Sequence, residues 1–304
     1  MSYKSALFAR LCIALTLTIT LFSSPAQAAT ITVNSLADPG LANDALCTLR
    51  EAINNVNAGG DTDGAVAGGC IAATGGDSII FSVNGTITLA STLPGIAPNP
   101  VTITGPGPNS LTIQFNNTAG WNFSAAGSTL SGVTITGAKS AAGVITIRAN
   151  SITLDNLNIS NNVATSYGGG IGVYLGAGSV IRNSTISNNS APFAAAIVVG
   201  NIGVSVEIIN CTITGNINSV LTEGVVVSLL SAQTTIRNAT IHANTGLGIG
   251  AFHATFGAGT VNINNSIVSS SSAGDCVTGG TLTSNGYNLF SDATCVAVAH
   301  VTDL

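Results

Sequence analysis

Between Leu154 and Ser271 one phrase returns five times: LDNLNISNN (154–162), IRNSTISNN (181–189), IINCTITGN (208–216), IRNATIHAN (236–244) and INNSIVSSS (263–271). Successive phrases start 27, 27, 28 and 27 residues apart, a period at which solenoids stack one coil on the next. Within each phrase apolar side chains recur at alternate positions, which is the strand period, and the content of β-branched residues and Asn disfavours a helix. Asn156, Asn183, Asn210, Asn238 and Asn265 fall in one column. Asn tolerates the left-handed backbone that a tight corner between two strands requires. Stacked about 4.8 Å apart, these amides are expected to bond one to the next as a buried ladder. The columns Leu157, Ser184, Cys211, Ala239, Ser266 and Ile159, Ile186, Ile213, Ile241, Val268 are expected to point inward, and the residues between them toward water.

On these phrases, and on VTITGPGPNSLTIQF (101–115) and LSGVTITGA (130–138) upstream, the chain resembles the right-handed parallel β-helix family. Its coils have three strands, with a short Asn-bearing turn between the second and third. The expected fold class is therefore all-β, a right-handed parallel β-helix. That architecture carries lyases, hydrolases, adhesins and tailspikes alike, so it implies a fold more than an activity. A transmembrane β-barrel would show segments of about 10 residues and aromatic girdles. One Trp and four Tyr argue against it.

Residues 1–28 read as a secretory signal peptide: Lys4 and Arg10, an apolar run from Leu11 to Phe22, then Ala26-Gln27-Ala28 as a small-residue cleavage site. Their removal takes two of the 7 basic residues and none of the 12 acidic ones, leaving 5−12=−7. That balance disfavours nucleic acid as a partner. No later segment offers the roughly 20 apolar residues of a membrane helix. The mature chain is expected to be exported, extracellular or at the cell surface, with residues 29–76 as an N-terminal cap and 77–304 as the β-helix and a closing segment.

The cap is read from CTLREAINNVNAGG (47–60). Thr48 and Glu51 have capping-box spacing, Leu49, Ala52, Ile53 and Val56 make one apolar stripe at helical spacing, and Gly59 and Gly60 end the helix. A solenoid with an open end would expose its core and unpaired strand edges, and a short amphipathic helix covers both. Cys47, Thr48, Leu49, Arg50, Glu51 and Ala52 closely resemble the opening motif of the CSLREA domain, and GDSIIFSVNGTITLASTLPGI (76–96) matches that family's first coils. Its members open many bacterial secreted β-helix proteins without an established reaction, so the resemblance implies location and fold.

Five Cys remain after Cys12 leaves with the signal. Export permits disulfides. Cys47 and Cys70 flank the cap and its Gly-rich loop, Cys276 and Cys295 flank the closing segment, and each pair is expected to form a local staple. Cys211, in an inward column, is expected to be a buried, inert thiol.

The remaining motifs have structural readings. GGGIGVYLGAG (168–178) lacks the Lys-Ser or Lys-Thr of a phosphate loop, and AAAIVVG (194–200) takes its place one coil later. It reads as a coil turn leading into a strand. DTDG (61–64) holds Asp61 and Asp63 but not the other ligands of a calcium loop. His242, His253 and His300 share no zinc-like spacing with Cys. No metal and no cofactor is expected.

Cleavage of sugar chains needs two carboxylates near one glycosidic bond. The coils are read as carrying only Asp155, Glu207 and Glu223, in three different columns. Asp155, Arg182, Glu207 and Arg237 are expected to form an outward row of ion pairs. Two functions follow: a non-catalytic secreted or surface protein, adhesin-like or structural, that contacts a surface or glycan ligand, and alternatively a polysaccharide lyase or glycoside hydrolase of the pectin-degrading type. A groove of stacked aromatics would favour the second, and Tyr167, Tyr174 and Phe193 are the candidates.

Overall fold

A computed structural model of the chain describes residues 28–304 except 40–43, 63–66, 72, 74–75, 254–256 and 278. Residues 1–27 of the segment read as a signal peptide lie outside the described residues. The chain winds as a right-handed parallel β-solenoid. Its strands stack into three long sheets: face I with ten strands, face II with nine and face III with seven, plus a four-stranded ribbon between faces II and III. One coil shows the path, passing from face III (Ile145–Ile147) to face I (Thr153–Asp155), face II (Asn158–Ser160), the ribbon (Val163–Tyr167) and face III again (Ile171–Val173).

Registers follow the repeat. Leu154 pairs with Ile181, Ile181 with Ile208, Ile208 with Ile236 and Ile236 with Ile263. All five side chains are fully buried, as are Ile159, Ile186, Ile213, Ile241 and Val268 on face II. Leu157, Ser184, Cys211, Ala239 and Ser266 also point in, in agreement with the strand period.

The asparagine ladder sits elsewhere than expected. Asn156, Asn183, Asn210, Asn238 and Asn265 do take left-handed backbone, with φ of 48 to 53°. Their side chains are exposed, and their amides make isolated links, Asn210 to Asn183 at 3.2 Å, Asn265 to Asn238 at 2.6 Å and Asn183 to the Asp155 carboxylate at 2.8 Å. The buried ladder is the column six residues on: Asn162, Asn189, Asn216 and Asn244. Each Oδ1 from Asn189 onward accepts both the backbone N–H and the Nδ2–H of the Asn one coil earlier, at 2.9 to 3.1 Å. Each Nδ2 of Asn189, Asn216 and Asn244 also donates to the carbonyl of the inward Ile of the preceding coil, Ile159, Ile186 and Ile213.

The reason is a second corner. Asn161, Asn188, Gly215, Ala243 and Ser270 also have left-handed backbone, φ 53 to 64°. At each corner the left-handed residue takes an outward place, and the next one turns in. The first corner thus buries Leu157 and its column, the second Asn162 and its column. The ladder ends where Ser271 takes the place of Asn, and its buried hydroxyl has no hydrogen-bond partner.

Both ends are closed. The helix Leu49–Ala58 has its capping box in place, Thr48 with Glu51, and ends at Gly59 with φ 63°. Its stripe of Leu49, Ala52, Ile53 and Val56 is continuous with the solenoid core. Arg50 ties it down: Nε and one terminal nitrogen bond Asp38, whose side chain is 1% exposed, and the terminal nitrogens reach the carbonyls of Ser91 and Thr92. A disulfide joins Cys47 to Cys70. At the other end a disulfide joins Cys276 to Cys295, in the 3₁₀ turn Ala293–Val298, and the chain finishes alongside the last strand of face II, Phe290 N–H donating to the carbonyl of Leu304.

Candidate functional site

The charged row resolves into two separate pairs on face I. Arg182 sits beside Asp155 in register and bonds it at 2.9 Å. Glu207 is two residues out of that column, opposite Val180 and Thr235, so Arg237 reaches across to it at 3.2 Å. The arginines are about half exposed, and solvent-exposed pairs of this kind contribute about 0.2 to 1 kcal/mol.

The acid count made from the sequence is short by two. Asp77 and Asp275 also occupy strand positions and are fully buried. Asp77 accepts the backbone N–H of Ala29. Asp275 accepts from the N–H and hydroxyl of Ser291 and the N–H of Asp292. Burial holds its carboxyl above the usual range, against the pull of the Ser291 bonds. Elsewhere Asp303 binds Ser284 and Asn288, and Glu51 binds Thr48. These acids fasten backbone corners and chain ends. Asp61 of the DTDG loop is described and Asp63 lies outside the described residues. Among the described residues no cluster of three His, Cys, Asp or Glu is arranged to hold a metal ion.

The three candidate aromatics do converge, on the outer side of face III where the ribbon meets it. Tyr167 lies edge-on to Tyr174 with ring centroids 5.8 Å apart, and 5.4 Å from Phe193. Beneath them Val198, Val227 and Leu229 are buried, forming an apolar layer outside the solenoid core. Gly172 makes the arrangement possible, because a Cβ there would stand 2.6 Å from the Tyr174 ring that lies across it. The cleft so formed is about 200 Å³, with Asn201 and Leu230 on its rim. Arg148 stands over the Tyr174 ring, 5.6 Å from its centroid. The Tyr174 hydroxyl is buried without a hydrogen-bond partner, and this burial pushes its pKa up. Arg148, Val198 and Leu229 escaped the sequence reading, because an outward apolar layer breaks the simple rule of alternation.

The segment GGGIGVYLGAG is the turn and strand expected. Ile171 pairs with Ile197 one coil on, and a Cβ on Gly169 or Gly170 would stand 2.5 or 2.7 Å from the carbonyls of Ala195 and Ala196. Close approach of the next coil explains these glycines. Cys211 is buried and unpaired by any disulfide, and burial pushes its thiol up to about 11.

A family model described as a right-handed beta helix region matches residues 111–289. The chain belongs to the right-handed β-helix family. No curated protein and no solved structure matches the chain. Membership accounts for the three faces and their registers, and in this β-helix protein the aromatic cleft and the ion pairs lie on coils inside the matched region. Among the described residues no helix is long and apolar enough to cross a membrane.

Proposed function

We propose that this β-helix protein is exported and acts by binding, as an adhesin-like or structural surface protein with a glycan or another surface as its ligand, and that residues 29–76 form an N-terminal cap with a CSLREA-type motif at 47–52. The observation that carries the reading is where the acids are spent: Asp38, Asp155 and Glu207 each face an arginine, and Asp275 and Asp303 hold backbone and hydroxyl groups at the closing end. Carboxylates committed in this way are poor general acids and bases. Two disulfides accord with an oxidising compartment.

A second reading, a polysaccharide-active enzyme of the pectin-degrading type, is favoured by the aromatic cleft with Arg148 beside it. One assay separates the two. Purified protein is incubated with pectate, methylated pectin and mixed plant and bacterial glycans, with and without Ca²⁺, while reducing ends and unsaturated products are followed and retention on the same glycans is measured. Binding without turnover, weakened by Tyr167→Ala, is the expected result. Turnover abolished by Asp155→Asn, Arg182→Ala or Glu207→Gln would make face I an active site and overturn the binding reading.

A further inference from the structure

Face III and its two flanks differ from the other faces in what they show to water. Between Thr129 and Gly250 all the exposed large apolar side chains stand there: Val163, Ile217, Val220 and Leu221 on or beside the ribbon, and Leu175, Ile202 and Leu230 on the turns that lead from face III to face I. Over the same coils faces I and II expose none. The two flanks run in register. Lys139, Val163, Ser190 and Ile217 pair one with the next along the ribbon. Arg148, Leu175, Ile202 and Leu230 each stand six residues before an inward residue of face I, Leu154, Ile181, Ile208 and Ile236, and those four pair in turn. One coil therefore offers Lys139 and Arg148, and each of the next three offers at least one aliphatic tip, over about 14 Å of the solenoid axis.

The charges sort in the same way. Seven charged residues lie between Thr129 and Gly250. Asp155, Arg182, Glu207 and Arg237 neutralise one another on face I. Glu223, the one acid on the apolar side, is 9% exposed. That leaves Lys139 and Arg148, both exposed and neither paired with a carboxylate among the described residues. Arg148 stands over the Tyr174 ring instead. Aliphatic tips and uncompensated cations without an exposed acid match the boundary of a phospholipid layer. There the tips enter among the acyl chains, and the cations reach the phosphates along their own apolar stems.

We infer that this side docks the protein on a phospholipid surface. The inference rests on the binding reading above and names its surface. Ile202 is 85% exposed and Leu175 54%, so these tips stand free of their own coils and are available to a partner. A second copy of the chain would present the same apolar side chains and the same two cations, with no exposed acid to answer Lys139 and Arg148. A glycan needs hydroxyl partners that aliphatic tips do not supply, and the aromatic cleft between the two flanks is the part of this side suited to a sugar ring.

The test uses the full purified chain with its disulfides intact. Flotation with vesicles of phosphatidylethanolamine and phosphatidylglycerol in equal parts is measured for the parent and for Ile202→Ser, Leu175→Ser, Lys139→Glu and Arg148→Glu. Ile80→Ser is the control, because Ile80 is an exposed aliphatic side chain on face I outside these coils. The parent is expected to float with the vesicles, and less so as salt is raised. Each of the four variants should lose about tenfold in affinity or more while keeping the parent melting temperature, and Ile80→Ser should keep the parent affinity. Lys139→Glu covers the case in which Arg148→Glu disturbs the Tyr174 ring. Failure of the parent to float overturns the inference, as does equal loss in Ile80→Ser. Retention on glycans is measured on the same preparation: glycan held with vesicles ignored overturns the lipid surface and leaves the binding reading standing. Self-association in sedimentation velocity that Ile202→Ser removes, with vesicles ignored, would overturn it in favour of a second copy.

Discussion

Two columns of asparagine climb this solenoid at the same period and do opposite work. Asn183 and Asn210 sit at the first corner, exposed, with left-handed backbone; Asn189 and Asn216 follow the second corner, fully buried, each amide both giving and receiving bonds to its neighbours. In the first column the residue is used for a backbone angle, and its side chain is incidental. In the second it is used for an amide that bonds buried backbone N–H and C=O groups of the neighbouring coils. Identical letters at identical spacing thus answer to different physical demands, and substitution should separate them.

The largest effect is expected at Asn189→Leu. It removes the acceptor of the Asn162 N–H and one donor to the carbonyl of Ile159, both groups being buried. At about 1 to 3 kcal/mol for each of the two groups, the loss should be about 2 to 6 kcal/mol. Chemical denaturation with both disulfides intact checks it, and a melt overlaying the parent would mean the buried ladder contributes nothing.

At Asn210 the prediction concerns the backbone. Asn210→Val forces a β-branched residue to positive φ and should lose about 1 to 2 kcal/mol, whereas Asn210→Gly should stay within about 0.5 kcal/mol of the parent. If both variants fell equally, the exposed amides would be carrying stability and the contrast between the columns would collapse.

The smallest effect is expected between the two columns, at Cys211. Its column mates Ser184 and Ser266 show what a hydroxyl does there. Each donates to the carbonyl two residues back and accepts an N–H from the preceding coil. Cys211→Ser should therefore change stability by no more than about 1 kcal/mol. With its thiol raised to about 11, Cys211 should stay unmodified by thiol reagents at pH 8 until the chain is unfolded. Labelling at the native rate of a free peptide thiol would place it at the surface instead.

Much of this was legible in the letters. The period, the inward columns beginning at Leu157 and Ile159, the capping box of Thr48 and Glu51 and the two staples all follow from local rules that the fold respects. The true ladder was also present, as the final letter of four of the five phrases. It went unread because the corner that turns it inward is filled by Asn161, Asn188, Gly215, Ala243 and Ser270 in turn. Any residue able to bear positive φ suffices there, so no repeated letter marks the bend, and the side-chain phase cannot be carried past it. The aromatic cleft was legible only as three rings close in sequence. The layer of Val198, Val227 and Leu229 under them depends on packing outside the coil, which strand alternation does not encode.

The covalent closure of both ends alters how this molecule comes apart. In a stack where each coil touches only its neighbours, fraying normally begins at a terminus and runs inward like a zipper. Here the first and last turns are stapled, and the first is also clamped by Arg50. Rupture must then open between two interior coils, where a whole layer of core and ladder bonds breaks at once. That makes the rate of opening, more than equilibrium stability alone, the measure of how long the coils resist proteolysis.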